Sequence, residues 1–239
     1  MSVRPALDLV LPRLDPELAS QLVPARRLEE RRGRRPSGVR GLDQLLGGGW
    51  PRAALAELSG RRSSGRTAIL LASLGRAIAA GETVALVDVG GTLDPRRAEA
   101  SGIPLPRLFW IRADGAGQAL KATDLVVAAG GFDLVALDLG DVPPRPPTAA
   151  WIRLKHGAER QGTTIVVATA ARAVGAFAAA AVEVSAASPV FSPAPALLEG
   201  LRSTITRERT HREHGPRSPE TSETESEARC ACVAFTCRS

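Results

Sequence analysis

The segment Gly60-Arg61-Arg62-Ser63-Ser64-Gly65-Arg66-Thr67 has the frame of a phosphate-binding loop, G-x-x-x-x-G-K-[ST], with Arg66 in the lysine position. In such a loop the backbone amides and the N-terminus of the next helix make a nest for phosphate oxygens. The lysine reaches the β- and γ-phosphates, and the following hydroxyl, here Thr67, meets a magnesium ion. Arginine keeps the charge but is planar, bulkier and differently aimed. The spacing therefore predicts a nucleotide-binding fold whose chemistry has been given up.

A loop of this kind works only between a strand and a helix, and the flanking residues provide both. Ala53–Leu58 reads as a strand and Ala68–Ile78 as a helix. Beyond them the pattern alternates. Thr83–Asp88, Leu108–Ile111, Phe132–Asp138 and Thr163–Thr169 read as strands, with shorter ones at Ala181–Ser185 and Arg202–Arg207. Helices are expected over Pro95–Ser101 (N-capped by Asp94), Gly117–Ala129 and Thr148–Arg160. That order predicts the α/β class, with a mostly parallel sheet covered by helices on both faces. Before the core, Asp15-Pro16-Glu17 starts a short helix through Val23, and residues 26–36 form a charged connector. After it, residues 208–239 are poor in apolar side chains and are expected to be disordered, Ala231–Phe235 being the exception. The expected organisation is an amino-terminal helix and basic arm at 1–36, a core at 37–207 and a tail at 208–239.

Three stretches carry a family resemblance. Ser37–Arg52, with its Leu42-Asp43 pair and Gly47-Gly48-Gly49 cluster, resembles the segment that precedes the phosphate loop in the RecA family. Val84–Pro95 resembles that family's Phe-Ile-Asp-Ala-Glu-His-Ala-Leu-Asp-Pro stretch, and Gly130–Asp138 its Walker B strand. The likeness spans roughly residues 37–207, with the motifs in order. A RecA-like P-loop core with eroded ATP positions, a short arginine-rich arm and no recombinase carboxy-terminal domain is similar to the ImuA type, the RecA-related accessory protein of bacterial SOS mutagenesis cassettes.

Carried onto this sequence, the resemblance implies a nucleotide site at Gly60, Gly65, Arg66, Thr67, Asp94 and Asp138. Thr67 keeps the magnesium hydroxyl and Asp138 the carboxylate that would act through water on the ion. The family's water-activating glutamate falls on Gly90, its adenine-stacking tyrosine on Arg97 and its γ-phosphate-sensing glutamine on Ala170. Removing a catalytic base typically costs roughly 10²–10⁴-fold, so no hydrolysis is expected and no catalytic residue is assigned. Bound ATP with magnesium stays open, because loop amides and Thr67 can still hold phosphate; the expectation is no cofactor. The glycines can equally be explained by the geometry of a strand–turn–helix.

The implied partners are RecA, whose recombinase activity the protein would limit, and the polymerase-like member of the cassette. Partner contacts are expected on the arm, from Leu18, Leu22 and Val23 with Arg26, Arg27, Arg31 and Arg32. The family's two DNA-binding loops are cut here to Leu139–Pro147 and Ala171–Ala176, so a recombinase filament on DNA is not expected. The alternative is a DNA-stimulated ATPase with an atypical loop.

Composition narrows the partners further. Of 31 Lys+Arg only Lys121 and Lys155 are lysine, tyrosine is absent, and the net charge is +6. This balance suits nucleic acid or an acidic protein surface, leaving room for weak, sequence-independent DNA binding. Aromatics make up 3%, too few for a single-strand stacking platform. No run of about 18 apolar residues occurs and the start lacks an apolar leader, which predicts a cytoplasmic protein without a membrane partner. Cys230, Cys232 and Cys237 crowd the end of the chain, where they read as tail thiols; with His211 and His214 they match no common zinc spacing.

Overall fold

The computed structural model describes residues 33–100, 102–141, 147–191, 198–208 and 229–234. The strands are β1 (Arg34–Arg35), β2 (Trp50–Pro51), β3 (Leu55–Gly60), β4 (Val84–Asp88), β5 (Leu108–Arg112), β6 (Leu134–Asp138), β7 (Thr164–Thr169), β8 (Ala180–Phe191), β9 (Leu198–Glu208) and β10 (Arg229–Ala234). The helices are α1 (Arg40–Leu45), α2 (Arg66–Ala79), α3 (Pro95–Ala100), α4 (Ala116–Ala129) and α5 (Thr148–Gln161). Eight strands form one sheet in the order β10-β9-β8-β3-β7-β6-β4-β5. From β8 to β5 all neighbours are parallel, while β9 and β10 run antiparallel at one edge. This is the expected α/β core.

Strand alternation divides the core in two. Ala56, Leu58, Val84, Leu86, Leu134, Ala136 and Val166 point to the face covered by α2, whose Ile69, Leu70, Leu74 and Ile78 form one buried stripe. Leu55, Ala85, Val87, Val135, Leu137, Ile165 and Val167 point to the opposite face, against Leu120 and Val127 of α4 and Trp151 and Leu154 of α5. Because both faces are covered, the central strands read as continuous apolar runs. Their carboxy-terminal ends put Asp88 and Asp138 side by side, with β7 between Asp138 and the end of β3 at Gly60.

Three features differ from expectation. Arg34–Arg35 pairs antiparallel with Trp50–Pro51, so the core begins three residues inside the segment assigned to the arm. Strands β8 and β9 form a hairpin longer than their apolar patterns, with a bulge between Ser185 and Ser188. Within the segment expected to be disordered, Arg229–Ala234 pairs in register with Gly200–Ile205, which takes in most of the exempted Ala231–Phe235 stretch. The remainder of that segment lies outside the described residues.

Arg35 shows why the chain is anchored there. It is buried at 1% exposure, ion-paired with Glu82, and donates through Nε to Thr164 Oγ1 at 3.4 Å. Glu82 also takes Arg52 at 3.1 Å, and Asp133 lies 4.0 Å from Arg35. Burial, with help from Arg52, pushes the Arg35 guanidinium down to about 10, while Asp133 opposes the shift. At neutral pH it stays charged and staples the amino-terminal ends of three strands.

Candidate functional site

The loop between β3 and α2 is shaped by its two glycines. A Cβ on Gly60 would meet Ser64 Oγ at 2.6 Å and the Val184 carbonyl at 2.7 Å. Gly65 has φ +98° and would put a Cβ 2.8 Å from Ser203 Oγ. Packing alone thus requires both glycines, whether or not phosphate binds. Ser203 reaches across from β9 and donates to the Ser64 carbonyl at 2.6 Å, so the antiparallel hairpin leans on the loop.

Arg66 opens α2 but its side chain folds back. The guanidinium is 5% exposed and donates from one terminal nitrogen to the Gly60 carbonyl at 2.6 Å. The other terminal nitrogen donates to Asp141 Oδ1 at 3.0 Å and lies 4.0 Å from Asp138. Asp141 also accepts from Arg62 Nε at 3.0 Å, which ties the loop's own second arginine to the same carboxylate. Nε of Arg66 is buried without a partner. The cation of the loop is therefore directed at protein groups on both sides. Thr67, next in sequence, is half-buried at the first turn of α2.

The two strand-end carboxylates are opposite each other in the β4–β6 register and both are buried. Asp138 accepts from the Gly140 amide at 2.9 Å and from Thr92 Oγ1 at 3.0 Å. Burial pushes its carboxyl up; the Gly140 amide, Arg66 and Thr92 pull it down, and Asp88 adds to the rise. Asp88 accepts from the amides of Gly90, Thr92 and Leu93 and from the Thr92 hydroxyl, at 3.1–3.3 Å. Its oxygens are thus occupied in shaping the turn after β4 and are not aimed at a water. Gly90 lies in that turn, where a Cβ would approach Thr92 Cγ2 to 3.0 Å.

Of the residues singled out by sequence, Gly60, Gly65, Arg66, Thr67 and Asp138 come together at the ends of β3 and β6. Asp94 caps α3 as expected: its Oδ1 accepts from the Arg96 and Arg97 amides at 3.0 and 3.4 Å, and its Oδ2 pairs with Arg97 at 3.5 Å. Leu18, Leu22, Val23, Arg26, Arg27, Arg31 and Arg32 lie outside the described residues. Sequence reasoning missed Asp141, Thr92 and Ser203. Asp141 had a signal, as a carboxylate three residues beyond the strand end; Ser203 had none, since its contact crosses 139 positions. Where the second DNA loop of the family would run, residues 172–174 are instead pinned to buried Glu57. Its Oε1 accepts from the Ala173 and Val174 amides, the latter at 2.9 Å, and Arg172 lies 3.8 Å from Oε2.

The RecA N-terminal domain family matches residues 26–146, a span that takes in the strand–loop–helix around Arg66 and Thr67 and the carboxylate that ends β6. The chain belongs to the RecA family. Protein RecA of Francisella tularensis subsp. novicida (strain U112) is 38% identical over 104 residues, covering 43% of this chain and 29% of the relative. Protein RecA of Francisella tularensis subsp. tularensis (strain WY96-3418) matches to the same extent. The aligned region thus spans less than a third of these RecA proteins. The RecA family match ends before α5, so β7 to β10, with Ala170 and Ser203, are placed by the sheet alone. Among the described residues no helix is long and apolar enough to cross a membrane.

Proposed function

We propose that this protein is a non-catalytic RecA-like accessory factor of the ImuA type, acting in SOS mutagenesis by binding RecA, the error-prone polymerase complex or both. The observation that carries the reading is the inward turn of Arg66. A guanidinium bonded to the Gly60 carbonyl and Asp141 is not directed at a triphosphate, and phosphoryl transfer depends on that charge neutralisation. Gly90 brings no base, and the oxygens of Asp88 are already taken by amides. The residues present therefore fit a nucleotide–magnesium complex poorly, and the protein takes no ATP as a working cofactor. What the fold would keep is the outer shape of a RecA protomer. A unit that meets RecA on one face without offering the matching second face would end a head-to-tail polymer.

Phosphate release from ATP with magnesium and single-stranded DNA tests the non-enzyme part; background rates are expected. Clear turnover abolished by Asp138→Ala would overturn it. RecA strand exchange at equal protein concentrations tests the partner part. Inhibition is expected, and no effect together with no RecA binding would remove RecA from the reading.

A further inference from the structure

On the α2 face of the core, between α1 and the last turn of α2, a groove of about 600 Å³ is lined by Gly38, Arg40, Asp43, Gln44, Gly47, Gly48 and Arg76. Arg34 stands at its rim, its Cβ 3.2 Å from where a Cβ on Gly48 would lie. Arg34, Arg40 and Arg76 are exposed, and among the described residues none has an ion pair. Arg35, Arg52, Arg62, Arg66 and Arg153, by contrast, face carboxylates. Asp43, the one carboxylate in the lining, is held inside: its Oδ1 accepts from the Ser37 amide and hydroxyl, both at 2.7 Å. The groove thus presents three guanidinium forks without a carboxylate partner among the described residues, above a floor where Gly47 has open space.

We infer that this groove binds the phosphodiester backbone of single-stranded nucleic acid, through Arg34, Arg40 and Arg76. Guanidinium forks match phosphate oxygens bidentately, and a floor of small residues lets a sugar–phosphate chain come close. A protein partner fits less well. Stable protein interfaces need apolar anchors at their centre, and the exposed large apolar side chains, Phe109, Leu125, Ile152 and Phe191, are not in the groove. The groove is separate from the Arg66 loop and from the loops after β6 and β7, so the inference stands whether or not the chain handles ATP.

The test is fluorescence anisotropy of a labelled oligothymidylate with the full chain, titrated at several salt concentrations. Three phosphate contacts give a slope of log K against log salt of about −2, or roughly a 20-fold loss between about 50 and about 200 mM salt. Arg34→Ala/Arg40→Ala/Arg76→Ala should flatten the slope and abolish binding at the higher salt. Arg96→Ala/Arg107→Ala/Arg160→Ala removes the same charge from exposed arginines outside the groove and should leave the slope nearly unchanged. If the first triple is poorly folded, Arg34→Lys/Arg40→Lys/Arg76→Lys serves in its place, expected to keep the slope while weakening binding. Equal losses in the groove triple and the control triple would mean that overall charge alone acts, and would overturn the site. So would an unchanged groove variant, no binding at low salt, or polyglutamate competing as well as an unlabelled oligonucleotide.

Discussion

Two buried arginines, Arg35 and Arg66, sit at opposite ends of the same parallel sheet, and each is surrounded by carboxylates. Arg35 is held chiefly by Glu82, mostly buried with 15% of its side chain exposed, while Thr164 lies at 3.4 Å and Asp133, itself 45% exposed, at 4.0 Å. Arg66 is also buried but has a looser setting, since its hydrogen-bonded carboxylate, Asp141, is 40% exposed and the helix it opens begins at a glycine loop. The first arrangement can only hold strands together. The second occupies the end of the sheet where open α/β folds bind ligands, and it fills that place with an internal contact. A buried arginine among acids is thus no sign of function by itself; its position relative to strand ends and glycine loops decides the reading.

The sharpest way to break this comparison is to remove each side chain. Arg35→Ala removes the more buried of the two guanidiniums that meet Glu82, leaving Arg52 in place, and breaking a buried pair costs about 3–5 kcal/mol. The Tm should fall by roughly 6–20 °C for a chain of this size. Arg66→Ala should cost less, roughly 1–3 kcal/mol, because Asp141 can turn to water once the guanidinium is gone. Thermal unfolding of both variants at neutral pH decides it. A larger loss for Arg66→Ala would make the loop the main staple of the fold. The same logic limits arm deletions: removing residues 1–33 spares Arg35, whereas removing 1–35 destroys the staple and would mimic loss of a docking arm.

The fold was legible because it depends on local pattern. Continuous apolar runs such as Val84–Asp88 and Leu134–Asp138 announce strands covered on both faces, and the Gly60–Thr67 frame places the turn between them. Half of the site was legible for the same reason. Arg66, Thr67 and Asp138 follow from motif spacing, while the direction of the Arg66 side chain depends on Asp141 and on the Gly60 carbonyl, which no motif encodes. Asp94 stands in a motif position yet works as a helix cap, a role that Asp-Pro-Arg-Arg announces equally well. Arg35 was hidden in a run of arginines that reads as a solvated connector, and only pairing of β1 with β2 turns it inward. The strand at Arg229–Ala234 was nearly hidden, since its partner β9 comes after a bulged hairpin with little apolar alternation.

That edge strand supplies the next test. Ending the chain after Glu208 removes β10 and leaves β9 as a free edge. The ladder bonds lost are worth only roughly 0.5–1.5 kcal/mol each and are opposed by the conformational entropy regained when the strand is freed, so the net loss of stability should be small. The truncated protein should unfold within roughly 4 °C of the full chain. Its new edge, however, offers unpaired amides and carbonyls to a second copy, and light scattering should report association at high concentration. A large loss of Tm would show that the last strand is part of the core.

The smallest effect expected comes from Asp138, and it separates a working carboxylate from an inherited one. Burial is the main cause of its raised native value, so the folded protein holds a proton that the unfolded chain releases from about 3.8 upward. Stability linked to this group is therefore greatest at low pH and falls as pH rises through the native value, since the native state binds more protons in that window. Asp138→Asn keeps an oxygen for the Gly140 amide and has no charge to desolvate. Its Tm should exceed that of the parent by roughly 1–3 °C near pH 7, and the difference should close as pH falls below about 4. A parent more stable than the Asn variant at pH 7 would mean that the ionised carboxylate is well matched to Arg66 and Thr92. The loop would then be set up around a negative charge, as a metal-binding site requires, and the contrast between a structural Arg35 and a displaced nucleotide site at Arg66 would have to be redrawn.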